Sequence, residues 1–132
     1  MKGFTLVELM VVILIIAILA AASIPLLRGS VDSAKWSEGK ATMGTIATAL
    51  RIYMAIERED FEPVPTLEKL GVAPWILDGT YFKGGDSSVS DFSWVITGYD
   101  PIEYVITAKA LAGVKSPSEI TLNASGKWSI TP

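Results

Sequence analysis

The chain has 132 residues, with 11 basic and 14 acidic side chains, a formal charge of −3, no Cys and no His. This composition excludes disulfides and thiolate chemistry, removes the commonest general base and transition-metal ligand, and offers no basic run for nucleic acid. An enzyme would need a carboxylate pair acting without His, and the sequence contains no motif for one. We therefore predict a protein that is not an enzyme and has no cofactor.

The first predicted element is an apolar helix at the N-terminus. Every residue from Leu9 to Ile24 except Ser23 is apolar, and Glu8 is the one charge between Phe4 and Leu27. At about 1.5 Å per residue, the segment 4–27 forms about 36 Å of helix, and a bilayer hydrocarbon core is about 30 Å thick. The sequence therefore predicts a membrane-length helix that carries one carboxylate near its start.

Two general interpretations of this segment leave Glu8 unexplained. A secretory signal peptide would use Lys2 as its basic region and residues 20–22 as its cleavage site. However, the apolar run is long for such a peptide, and Glu8 places a negative charge where a positive charge is expected. A simple single-pass anchor is the second interpretation. Its orientation would depend on the positive charge of Lys2 on one side against Arg28 and Lys35 on the other, and this count does not decide which side faces the cytoplasm.

The third interpretation rests on the sequence GFTLVE at residues 3–8, followed by the long aliphatic helix. This pattern resembles the prepilin signature of type IV pilins and type II secretion pseudopilins. In that family a membrane aspartyl peptidase removes a short basic leader that ends in Gly, and the new N-terminal residue is N-methylated. The resemblance implies a leader over residues 1–3, cleavage between Gly3 and Phe4, and methylation of the Phe4 amine.

The resemblance also implies a role in assembly for Phe4, Glu8 and Pro25. In a filament, Glu8 of one subunit can meet the α-amino group of Phe4 in a neighbour, and a buried carboxylate without such a partner costs several kcal/mol. The Glu8 charge would then be neutralised only when neighbouring subunits pack in the correct register. The alternative places Glu8 at headgroup level, where its charge suits the helix dipole. Pro25 matches a proline of many members, whereas Ala17 stands where many of them have Gly.

An amphipathic helix is predicted over residues 28–58, because apolar side chains recur at three- and four-residue steps. They are Leu27, Val31, Ala34, Met43, Ile46, Ala47, Leu50, Tyr53 and Met54. A connecting region follows over residues 59–79. Within it Thr66 can cap one helical turn that Gly71 ends, and residues 74–77 are expected to form an apolar plug.

The remainder of the chain, residues 80–132, is predicted to form a small antiparallel sheet of three or four strands. Its candidate strands are rich in β-branched and aromatic residues and are separated by turn signals. They are Thr80–Lys83, Phe92–Thr97, Glu103–Ala110, Glu119–Asn123 and Lys127–Thr131. With the helix packed on this sheet, residues 28–132 are predicted to form a head of the α+β class, which the resemblance identifies as the pilin fold.

One loop raises the question of calcium. Asp86 and Asp91, with Ser and backbone oxygens of residues 84–91, supply the ligand type that Ca²⁺ prefers, and major pseudopilins resemble this in having a calcium-binding loop near the sheet. The spacing matches no EF-hand, and clusters of Gly, Ser and Asp usually form plain loops. We therefore predict no metal site. Asp86 and Asp91 are the weak candidates for calcium ligands.

The predicted function is that of a structural subunit of a type IV pilus or a type II secretion pseudopilus. Its partners would be its own copies with minor pilins, the prepilin peptidase and methyltransferase, membrane lipid before assembly, and an inner-membrane platform with a separate ATPase. The chain would cross the bacterial inner membrane once, N-terminus in the cytoplasm, and later form a periplasmic or extracellular filament. The alternative is a membrane-anchored periplasmic binding module that does not polymerise.

Overall fold

A computed structural model describes residues 3–84, 90–110 and 117–132. The described residues form one long helix and four strands, α1 (Leu6–Glu57), β1 (Phe92–Tyr99), β2 (Ile102–Lys109), β3 (Glu119–Asn123) and β4 (Trp128–Thr131), with short 3-10 helices at Arg58–Asp60 and Pro74–Ile76. The chain divides into two compact units, Met1–Ala34 and Lys35–Pro132. The predicted α+β class is confirmed.

The first unit contains the apolar N-terminal part of α1. The large apolar side chains from Leu6 to Val31 that the structure describes are exposed. By length and composition, α1 is the one helix in the described part of the chain that could cross a membrane. Apolar surface of this extent is unfavourable in water, so the helix needs lipid or other apolar protein around it.

Pro25 lies inside α1, as its place in the predicted membrane segment implies. Proline has no backbone N–H, so the carbonyl of Ala21 lacks the helical donor that residue 25 would otherwise supply. Nearby, the Ser23 hydroxyl donates to the carbonyl of Leu19 at 2.8 Å. That bond lets a polar side chain sit in the apolar segment without an unsatisfied hydroxyl.

In the second unit, one face of α1 and one face of the sheet share a hydrophobic core. The sheet is an antiparallel meander in the order β1-β2-β3-β4. Alternate residues of β2 are buried, as expected for a strand with one covered face. The core side chains of α1 are Trp36, Met43, Ile46, Ala47, Ala49, Leu50, Tyr53 and Met54. The apolar stripe predicted from Met43 to Met54 is thus confirmed, and Trp36 extends it. Leu27, Val31 and Ala34, which were predicted to belong to the same stripe, are exposed instead.

Most strand and turn predictions agree with the structure. β3 has the predicted bounds, and the other three strands begin or end within two residues of the prediction. Gly126 has a φ of +80° in the turn between β3 and β4, and Gly71 has a φ of +66° at the end of the turn that starts at Thr66. Both angles are strained for residues with a side chain, which accounts for glycine at these two positions.

The predicted strand Thr80–Lys83 is wrong, and the sheet begins at Phe92 rather than at residue 80. The residues have β-forming side chains, but their backbone N–H groups do not join a ladder. Those of Tyr81 and Phe82 donate instead to the carboxylate of Glu38. A tertiary contact with α1 therefore overrides the local β propensity.

The apolar plug predicted at residues 74–77 is correct for one residue. Leu77 is completely buried, whereas Trp75 is 74% exposed and Ile76 is also exposed. Pro74 begins the short 3-10 helix, and the turn that follows directs Leu77 into the core. The connecting region therefore presents a large aromatic side chain to its surroundings.

Two glycines of α1 provide a matched test of how closely this helix packs against the Phe82 ring. A Cβ on Gly39 would lie 2.9 Å from the Phe82 ring, whereas one on Gly44 would meet nothing within 4 Å. Alanine favours a helix over glycine by about 0.8–1.0 kcal/mol, and overpacking a core costs about 1–3 kcal/mol. We expect Gly44→Ala to stabilise the head by about 1 kcal/mol and Gly39→Ala to destabilise it by about 1 kcal/mol. Urea unfolding of the full chain in non-ionic detergent measures both; equal stabilisation would contradict the Phe82 packing.

Candidate functional site

The candidate site is the start of α1, where Thr5 and Glu8 bond to each other reciprocally. The Thr5 backbone N–H and the Thr5 hydroxyl each donate to Glu8 Oε2 at 2.8 Å. In return, the Glu8 backbone N–H donates to the Thr5 hydroxyl oxygen at 3.2 Å. This is a capping box: Thr5 is the residue before the first helical residue, Leu6, and Glu8 is the third residue of the helix.

The role of Thr5 was not predicted from the sequence, although its signal is present there. A Thr followed three residues later by Glu, just before an apolar run, is the usual sequence signature of this cap. The arrangement provides acceptors for donors that the first turn of a helix leaves without partners. It also aligns the negative charge of Glu8 with the positive end of the helix dipole.

Glu8 keeps capacity for a further partner. Its side chain is exposed, and Oε1 accepts no hydrogen bond from the described part of the chain. A carboxylate has room for about four hydrogen bonds, and the capping box uses two of them. Capping within the chain and pairing with a neighbour are therefore compatible.

The bond between Gly3 and Phe4 lies outside the helix in exposed, irregular backbone. Phe4 is 84% exposed, and nothing lies within 4 Å of a Cβ built on Gly3. Proteases act on extended, accessible backbone, so the geometry suits cleavage at this bond. In the uncleaved chain the Phe4 nitrogen is a peptide nitrogen, and its pairing with Glu8 of a neighbour stays a prediction.

Pro25 is not part of this cluster. It is seventeen residues along α1 from Glu8, which corresponds to about 25 Å of helix. Pro25 is therefore too far along the helix to contact Glu8 or Phe4 of the same subunit.

Of the two calcium candidates, the structure describes Asp91 alone. Asp86 lies outside the described residues. Asp91 accepts a hydrogen bond from the Lys83 backbone N–H at 2.8 Å, so one of its oxygens already has a partner. Among the described residues, no group of three or more acidic side chains is placed to hold a metal ion. Calcium binding at Asp86 and Asp91 stays a hypothesis.

The second unit carries an open groove next to β1. Its volume is about 530 Å³, and apolar side chains including Val64, Leu67, Pro74, Phe92 and Trp94 form much of its wall. The indole N–H of Trp94 donates to the carbonyl of Pro65 at 3.0 Å, which fixes the ring in that wall. This groove is the feature that a small-molecule binding module would use.

Comparison with known proteins supports the prepilin resemblance. Residues 1–24 match the family model described as the prokaryotic N-terminal methylation motif. The chain is also 45% identical over 52 residues to the type II secretion system core protein G of Pseudomonas aeruginosa. That match covers 39% of this chain and 37% of the relative. No solved structure matches the chain.

Proposed function

We propose that this chain, which resembles type IV pilins and type II secretion pseudopilins, is a structural subunit of a type IV filament. It is anchored in the bacterial inner membrane by residues 4–27 and is cleaved between Gly3 and Phe4. After methylation of Phe4 it leaves the membrane and polymerises through its N-terminal helix. Its partners are its own copies, minor pilins, the processing peptidase and methyltransferase, and an assembly platform with a separate ATPase.

The observation that carries this proposal is the exposed apolar part of α1 with a single carboxylate at its start. Lipid can cover this surface before assembly, and the equivalent helices of neighbouring subunits can cover it afterwards. Burying apolar surface contributes about 25 cal/mol per Å², so a helix of this length supplies a large association energy in either setting. That energy is insensitive to register, because aliphatic contacts are not directional.

Glu8 fixes the register of neighbouring subunits, which aliphatic packing alone does not determine. Among closely packed apolar helices its charge must meet a partner, and removing one partner of a buried ion pair costs about 3–5 kcal/mol. Cleavage at Gly3 creates such a partner, the α-amino group of Phe4 in a neighbouring subunit. The capping box favours the pairing, because it holds the Glu8 side chain at the helix start, near the N-terminus of the subunit.

Processing provides the test of this proposal. Co-expressed with a prepilin peptidase, the chain is expected to lose residues 1–3 and to gain one methyl group on Phe4. Intact mass and N-terminal sequencing of the protein extracted from membranes measure both changes. The control is Gly3→Val, which places a bulky side chain at the cleaved bond and should leave the chain uncut. Cleavage after Ala22 would instead identify a signal peptide and contradict the proposal.

The groove beside β1 favours one alternative, a membrane-anchored binding module that does not polymerise. The two functions differ in the role of Glu8. A binding module would tolerate loss of this carboxylate and form no filaments in the presence of an assembly machinery. A filament subunit would form them and would depend on Glu8.

A further inference from the structure

The segment 79–84 of the second unit is bonded to α1 in an unusual way. The Tyr81 and Phe82 backbone N–H groups donate to Glu38 Oε1 at 2.7 and 3.0 Å. The backbone N–H of Thr80 also faces this carboxylate. A side chain of α1 therefore takes the place that a neighbouring strand would occupy beside this segment.

Two further carboxylates continue the pattern along the segment. The Lys83 backbone N–H donates to Asp91 Oδ2 at 2.8 Å, and the Gly84 N–H donates to Asp78 Oδ1 at 3.1 Å. The backbone donors of residues 80–84 thus face acidic side chains from three parts of the chain. Hydrogen bonds to ionised acceptors are about twice as strong as those between neutral groups.

The Glu38 carboxylate lies so close to Gly79 that a side chain at position 79 would displace it. A Cβ on Gly79 would lie 2.1 Å from Glu38 Oε1. The segment also carries Phe82, whose ring is buried with its centroid 5.0 Å from that of Trp36 and 5.6 Å from that of Phe92. The carboxylate bonds consequently hold the Phe82 ring over Trp36.

The charged groups around Glu38 favour its ionised form. Lys83 lies in the same segment, where its ammonium group donates to the carbonyl of Gly79 at 2.8 Å and attracts Glu38. On α1, the Lys35 ammonium lies 5.7 Å from the centre of the Tyr81 ring. Asp78 and Asp91 are the acidic groups that bond the same segment.

Acid weakens the Glu38 contact. Desolvation raises the pKa of Glu38, but the backbone donors of residues 80–82 and the charge of Lys83 lower it, and the net pKa lies below its ordinary value. A group whose pKa is lower in the folded state stabilises the fold above its ordinary pKa of about 4.3. That stabilisation is lost as the pH falls through the lower folded value.

We propose that segment 79–84 is a carboxylate clasp, bonded through its backbone N–H groups to Glu38, Asp78 and Asp91, and that it is released from α1 when Glu38 is protonated. Release frees the Phe82 ring and uncovers Trp36, while the sheet stays folded through its own ladder. The clasp is a property of the head alone and does not depend on whether the chain polymerises.

Hydrogen exchange of the full chain in non-ionic detergent tests the clasp. Protection factors are compared rather than rates, because intrinsic exchange itself varies with pH. Between pH 7 and pH about 2.5, protection of the Tyr81 and Phe82 amides should fall about 10- to 100-fold, from the strength of bonds to charged acceptors. Protection of the β2 amides, such as Ile106, should change far less. A parallel loss in both regions would indicate global unfolding and overturn the proposal.

The variant Glu38→Gln removes the charge of the side chain and keeps its shape. The variant should have the low protection of the acid state at the amides of Tyr81 and Phe82 already at pH 7, with little further change on acidification. Glu59→Gln alters an exposed carboxylate elsewhere and should behave as the native chain. Asp91→Asn gives an independent result, a loss of protection at Lys83. Native protection in both Glu38→Gln and Asp91→Asn would overturn the clasp.

Discussion

Replacement of Glu8 by Gln should abolish filament formation although the chain is still cleaved, methylated and inserted in the membrane. Gln at this position retains the capping box, because its side-chain oxygen also accepts the two bonds from Thr5, although as a neutral acceptor it binds them more weakly. The substitution removes the charge and leaves the Phe4 ammonium of a neighbour without its partner. A loss of about 3–5 kcal/mol per subunit contact lowers association by more than about 100-fold. Negative-stain microscopy of cells with the assembly machinery counts the filaments.

A matched variant separates register from capping. Thr5→Val removes the hydroxyl that bonds Glu8 but keeps the carboxylate charge, and loss of a cap costs about 0.5–2 kcal/mol. We expect filaments of Thr5→Val in reduced number. If Glu8→Gln assembled normally and Thr5→Val did not, assembly would depend on the helix cap and not on the charge of Glu8, which would contradict the register role.

Replacement of Phe82 by Ala should destabilise the head more than any other single change in the segment 79–84. The ring is 1% exposed and contacts both Trp36 of α1 and Phe92 of β1. Truncating a buried aromatic side chain costs about 3–5 kcal/mol, a large share of the 5–15 kcal/mol that stabilises a typical domain. Urea unfolding of the full chain in detergent, followed by tryptophan fluorescence, measures the change.

Tyr81 provides the control at the adjacent position. Its ring is 43% exposed and meets the Lys35 ammonium at 5.7 Å, a contact worth about 0.5–1 kcal/mol at an exposed site. Tyr81→Ala should therefore lower stability by about 1 kcal/mol or less. Equal losses in the two variants would mean that Phe82 does not bridge the helix and the sheet.

The strands could be anticipated because their signals are local, and the signal of the N-terminal capping box, although it was not used in the prediction, is local as well. The capping residues stand three positions apart next to an apolar run, and β-branched residues mark β2 and β3 over a few positions each. Such patterns act through backbone geometry and solvent exposure, which neighbouring residues determine. The α+β class follows because apolar residues recur at three- and four-residue steps in the first part of the chain, whereas short runs of β-branched and aromatic residues follow in the second part.

The conformation of residues 79–84 could not be anticipated for the opposite reason. Thr80, Tyr81 and Phe82 favour a strand, and their actual partner, Glu38, lies more than forty residues earlier in the chain. Long-range contacts of a carboxylate have no periodic signature. Trp75 is a similar case, since its apolar neighbours suggest a buried plug and only the turn before Leu77 directs the indole outward.

The most direct test of the central claim is whether this chain forms filaments. Cells that contain the native chain, a prepilin peptidase and an assembly platform are labelled with an antibody against the head and viewed by electron microscopy. We expect labelled filaments that disappear when the peptidase is removed or when Gly3→Val blocks cleavage. A chain that is cleaved and methylated but remains in the membrane, with no labelled filaments, would contradict the assignment as a filament subunit.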